Sequence, residues 1–99
     1  MTNHPRELPI PPEANSDKMA KELIRVWAAK GGQHVSIATG LWEDPAAWGI
    51  LLVDLAKHVS NAYEQTKGKS HQSTLKRIKE GFEAEWANET DKPTGSLLE

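Results

Sequence analysis

Between Glu22 and Tyr63 the spacing of apolar residues changes once, from alternate positions to every third or fourth. Each spacing belongs to a different backbone. The stretches ELIRVWAA (22–29) and HVSIAT (34–39) are short and rich in β-branched and aromatic residues, a composition suited to a pleated, half-buried surface. In the first, Ile24, Val26 and Ala28 share one face and Leu23, Arg25 and Trp27 the other; in the second, Val35 and Ile37 alternate with His34, Ser36 and Ala38. KGGQ (30–33) lies between them, and the Gly31–Gly32 pair is expected to supply the positive φ angles of a hairpin turn. A lone two-stranded hairpin is marginal in water, so this one needs cover from other elements.

The cover follows in the sequence. LWEDPAAWG (41–49) reads as a helix start, with Asp44 as the cap, Pro45 at the first helical position and Glu43 and Asp44 at the positive end of the dipole. Trp48 opens the apolar stripe Trp48, Leu52, Leu55, Ala56, Val59, Ala62 and Tyr63. Trp42 can fold back on the first turn much as a hydrophobic staple does, although Glu43 holds the usual staple position. This helix should run to about Gln65 and break at Gly68. A second helix, from Ser70 or Ser73 to Asn88, carries Leu75, Ile78, Phe82 and Trp86 at three- and four-residue spacing. The expected fold is α+β, an N-terminal hairpin packed against two C-terminal helices in the order β-β-α-α. Residues 19–88 form its single domain. Residues 1–18, with Pro5, Pro9, Pro11 and Pro12, are expected to be a flexible arm on which Leu8 and Ile10 are the candidates for docking. Residues 89–99 are expected to be a disordered tail, and the final Leu98–Glu99 reads as a cloning remnant.

At 99 residues the core is small, so self-association is an economical route to added stability. The absence of cysteine excludes disulfides and thiolate chemistry and fits a reducing compartment. The N-terminus lacks a secretory apolar core, and the longest apolar run, Ala46 to Val53, is too short to span a bilayer. A cytoplasmic protein is the expectation. A net charge of -2 argues against wholesale binding to nucleic acid, which rests on a basic surface.

Few residues suggest chemistry. Glu43 and Asp44 are adjacent and fully explained by the helix start. The four histidines, His4, His34, His58 and His71, lie in four different segments, and only Asp54 and His58, four apart on a helix, have the spacing of a metal half-site or an oriented base. With Tyr63 they form the alternative reading of a small-ligand or metal-dependent site. That pair belongs, however, to a polar stripe with Asn61 and Gln65, the pattern of a solvated face. No zinc-protease, phosphate-loop or nucleophile-elbow motif occurs, so no cofactor, metal or catalytic residue is assigned.

Charge along the second helix is more informative. Residues 67–79 are purely basic (Lys67, Lys69, Lys76, Arg77, Lys79) and the remainder acidic (Glu80, Glu83, Glu85, Glu89), the reverse of what the helix dipole favours. Three compensations are open: pairing of Lys76 with Glu80 and Lys79 with Glu83 inside the helix, antiparallel pairing with a second copy, or an anionic partner on segment 67–79. Base-stacking aromatics are missing from that segment.

The central sequence VWAAKGGQHVSIATGLWEDPAAWGILLVDLAKHVSNAYEQ, through its GGQ turn, W-x-DP-x-AWG helix start and NAY, resembles a family of short bacterial proteins grouped only as a domain of unknown function. The resemblance covers about residues 20 to 66 and implies a small bacterial protein without an assigned activity or cofactor. The expectation from the residues is a non-enzymatic module that forms a homodimer or binds an unidentified protein. Trp27, Trp42, Phe82 and Trp86 are its candidate anchors, and Lys76, Lys79, Glu80 and Glu83 set orientation.

Overall fold

The computed structural model describes residues 3–88. It contains a single helical turn α1 (Pro12–Asn15), strands β1 (Ile24–Ala29) and β2 (Gly32–Ile37), and helices α2 (Ala46–Lys67) and α3 (His71–Ala87). The architecture is α+β, an antiparallel hairpin followed by two long helices in the expected order. The chain divides into two compact units between Ala38 and Thr39.

In the first unit the register pairs Ile24 with Ile37 and Val26 with Val35 on one face, and Arg25 with Ser36 and Trp27 with His34 on the other. Cross-strand pairs of like character set this register, because a slip of one residue would exchange the faces. Ala29 pairs with Gly32, leaving a loop of only Lys30 and Gly31, with φ of 50° and 77°. Positive φ at both loop residues is the pattern of a type I′ turn. The turn therefore sits one residue earlier than the Gly31–Gly32 pair suggests, and Gly32 opens β2. A ring nitrogen of His34 lies 3.0 Å from the Ala29 carbonyl and ties β2 back to the loop.

The arm contacts the hairpin through polar and aromatic groups. Glu7 pairs with Arg25 at 3.2 Å, Glu22 holds the same guanidinium at 2.9 Å, and His4 meets Trp27 edge-on with ring centroids 4.8 Å apart. Leu8 and Ile10, the expected docking residues, are 85% and 54% exposed. Pro12 starts α1 at the position where its missing N–H costs nothing.

The second unit is a helical hairpin. Asp44 caps α2: its Oδ1 accepts the Ala46 N–H at 3.0 Å, and Pro45 already has helical φ and ψ of -59° and -16°. Counting Pro45 as the first helical residue makes Trp48 the fourth, the position a staple partner fills. Trp42 meets it edge-on, centroids 5.1 Å apart. The paired tryptophans of LWEDPAAWG thus lock the entry to α2. At the other end Gly68, with φ of 68°, donates its N–H to the Glu64 carbonyl and ends the helix in the left-handed conformation. Ser70 caps α3 by accepting the Ser73 N–H at 3.1 Å, and Glu64 accepts the His71 N–H at 3.2 Å. Three residues between helices make α2 and α3 antiparallel neighbours.

The buried residues of the two helices are small and polar. Ser60 is fully buried and its hydroxyl donates to the Ala56 carbonyl at 2.9 Å; Thr74 on α3 is 9% exposed. Among the described residues no apolar side chain is buried.

Candidate interaction surface

The anchors expected from sequence divide between the units. Trp27 is half-buried beneath His4 rather than bare, and Trp42 is 40% exposed but engaged with Trp48. Both have partners in the chain. Phe82 and Trp86 stack on each other with ring centroids 5.6 Å apart, yet they remain 53% and 80% exposed. One turn of helix separates them, so the pair forms a continuous aromatic strip on α3.

Pairing within α3 differs from the sequence expectation. Glu80 takes Arg77, three residues before it, at 3.1 Å instead of Lys76. The guanidinium presents a fork that an ammonium lacks, which favours arginine where both reach the same carboxylate. Lys76, Lys79 and Glu83 form no ion pair among the described residues. At about 100° per residue, Lys79 and Glu83 line one side of the Phe82–Trp86 strip, while Arg77 lies about 160° from Lys79. The basic segment 67–79 is therefore not one face: Lys76 and Lys79 lie about 60° apart, and Arg77 points away from Lys79.

The alternative ligand site does not converge. Asp54 and His58 lie in the exposed polar stripe of α2, whereas Tyr63 is about 140° around the helix from His58. Tyr63 instead lines an open pocket of about 440 Å³ with Lys69, Ser70, Ser73, Thr74, Arg77 and Ile78. No group of three histidine, aspartate or glutamate side chains placed to hold a metal occurs among the described residues. A second open cleft, of about 640 Å³, lies where the arm passes β1 and is lined in part by Leu8, Ile10, Ile24, Val26 and Trp27.

Sequence reasoning placed Leu52, Leu55, Val59 and Tyr63 on an apolar stripe, and they are 50%, 40%, 44% and 43% exposed. It did not single out Ile50 and Val53, which are 66% and 54% exposed. Periodicity identifies an apolar face; the signal that would have found these two is their departure from it.

The family model for a domain of unknown function (DUF5076) matches residues 7–90. The chain belongs to this family. The match takes in the arm from Glu7 and both helices, more than residues 20 to 66 that carry the resemblance in the sequence. Among solved structures, the chain is similar to one from the photosynthetic bacterium Rhodopseudomonas palustrus CGA009, provisionally named a pyruvate dehydrogenase. The two are 33% identical over 99% of this chain and 100% of that one, with a TM-score of 0.74. No curated protein matches. No helix among the described residues is long and apolar enough to cross a membrane.

Proposed function

We propose that this chain is a small non-enzymatic interaction module that works as a homodimer. The observation that carries the reading is the missing core: no apolar side chain among the described residues is buried, while six on α2 and two on α3 are at least 40% exposed. Burial of apolar area is the dominant favourable term in folding, and an α-helix with an apolar stripe needs another layer against that stripe. A second copy is the simplest source of that layer, since homo-oligomers with two-fold symmetry are the commonest assemblies.

An enzymatic reading has less support. Asp54, His58 and Tyr63 do not share a face, and the provisional name of the Rhodopseudomonas protein brings no residue to test here. The anionic-partner reading is weakened by the placement of Arg77 about 160° around α3 from Lys79 and by the Arg77–Glu80 pair. The setting that fits the composition remains the cytoplasm, where a cysteine-free chain needs no oxidant.

Sedimentation equilibrium at micromolar to millimolar concentration tests the proposal. A dimer whose thermal midpoint rises with protein concentration is expected. A monomer throughout, melting at one temperature regardless of concentration, would refute it.

A further inference from the structure

The dimer reading leaves open which surface pairs; resting on that reading, we infer that α3 packs antiparallel against α3 of a second copy through the Phe82–Trp86 strip. Phe82, Trp86, Lys79 and Glu83 occupy an arc of about 100° on α3. Thr74, the buried residue of α3, lies outside this arc. The arc therefore combines the most exposed aromatics of the helical unit with charges that have no partner among the described residues.

Symmetry identifies the occupant. A two-fold surface must be complementary to itself, so each cation on one side of the axis needs an anion at the equivalent distance on the other. Lys79 and Glu83 meet this condition: with the axis near Gly81, Lys79 of each protomer lies across from the partner's Glu83, and the same pair recurs on the other side. Lys76 then falls across from the partner's Trp86, where an ammonium above an indole face is favourable. An antiparallel arrangement also relieves the reversed charge order of α3, because each basic half runs beside an acidic half.

The strip supplies the centre of an interface rather than the whole of it. Phe82 and Trp86 leave roughly 300 Å² of side-chain surface exposed, if a full aromatic side chain offers about 150–250 Å². A standard interface buries about 800 Å² per partner. The alkyl stems of Lys76 and Lys79 border the strip and add to it.

Lys79 and Glu83 are also four apart on one helix, so a charge swap within one chain cannot separate pairing inside α3 from pairing across the axis. A mixture can. The Lys79→Glu chain carries two acids at these positions and the Glu83→Lys chain two bases; each should dimerise about tenfold more weakly than the wild type, and the two mixed together should form a heterodimer close to wild-type affinity. The readouts are sedimentation equilibrium at low and high salt and native mass spectrometry of the mixture, with circular dichroism confirming helix content. Heterodimer preference that fades as salt rises is the expected result. A wild-type dimer with no such preference, or single variants that dimerise as tightly as the wild type, would overturn the α3 interface while leaving the dimer standing. A wild-type monomer would overturn both.

Discussion

Replacing Trp86 by alanine separates a side chain that stabilises its own chain from one that awaits a partner. Trp86 is 80% exposed, so about a fifth of its surface, roughly 50 Å² of some 250 Å², is covered within the chain. At about 25 cal/mol per Å² that burial is worth roughly 1 kcal/mol, and the stacking on Phe82 adds about 0.5–1 kcal/mol. Trp86→Ala should therefore cost the isolated chain about 2 kcal/mol or less, well below the roughly 3–5 kcal/mol of a tryptophan removed from a core. If α3 pairs as inferred, the remaining 200 Å² or so is covered in the dimer twice over, once per protomer. Area alone sets an upper bound of about 5 kcal/mol per copy, and central aromatic anchors lose about 2 kcal/mol or more on truncation. Dimer dissociation should thus weaken by at least a hundredfold, read by sedimentation equilibrium, while the midpoint at dilutions where the wild type is monomeric falls by about 15 °C or less. A wild-type dimer whose dissociation constant changes less than threefold in Trp86→Ala would refute the reasoning. So would a loss of 3 kcal/mol or more in the monomer, which would mean that Trp86 is covered by its own chain.

Three further substitutions test the local physics. Lys30 occupies the left-handed region at φ 50°, a conformation that asparagine tolerates far better in a type I′ turn, so Lys30→Asn should stabilise the hairpin by about 0.5–1 kcal/mol in urea unfolding; destabilisation would mean that the lysine side chain has a role of its own there. Gly68→Ala has open space around its new methyl but is forced to keep φ near 68°, and should cost about 1 kcal/mol through backbone strain alone, with α2 fraying toward Glu64 in amide hydrogen exchange. At Ser60, alanine should cost about 1 kcal/mol or less because the hydroxyl bonds only within its own helix. Leucine at the same position should cost about 1–3 kcal/mol by forcing α3 away; equal midpoints for the two variants would show that the helices do not close on Ser60.

Features held by neighbours in sequence were the legible ones. The Asp44 cap, the Trp42–Trp48 contact, the Gly68 stop and the Ser70 cap each depend on groups within about seven residues, and the chemistry of caps and left-handed glycines is local. Features decided by competition between neighbours were read less well. Two glycines in KGGQ offered two placements for the turn, and the cross-strand pairs Ile24–Ile37 and Val26–Val35 chose the one that puts Lys30, not Gly32, in the left-handed region. Glu80 had Lys76 four residues before it and Arg77 three before it, and spacing alone did not choose between them. The arm shows the same limit, since its prolines and scattered apolar residues drew attention to Leu8 and Ile10, while its contacts run through His4 and Glu7 to side chains already fixed on β1.

Least legible of all was cover. The stripe Leu52, Leu55, Val59 and Tyr63 reads in sequence like the inner face of a helix, yet these four side chains are 40% to 50% exposed. Period and composition state that a face is apolar; what lies against it is a property of the assembly. A chain with α2 and α3 long enough to support a bundle, but with a serine and a threonine as the most buried residues between them, has the helices of a core without its contents. α3 also carries a charge order that its own dipole opposes by a few tenths of a kcal/mol per terminal charge. Within one chain the order gains the Arg77–Glu80 pair; if α3 pairs as inferred, two copies laid antiparallel turn the rest of it into matched pairs on both sides of the two-fold axis.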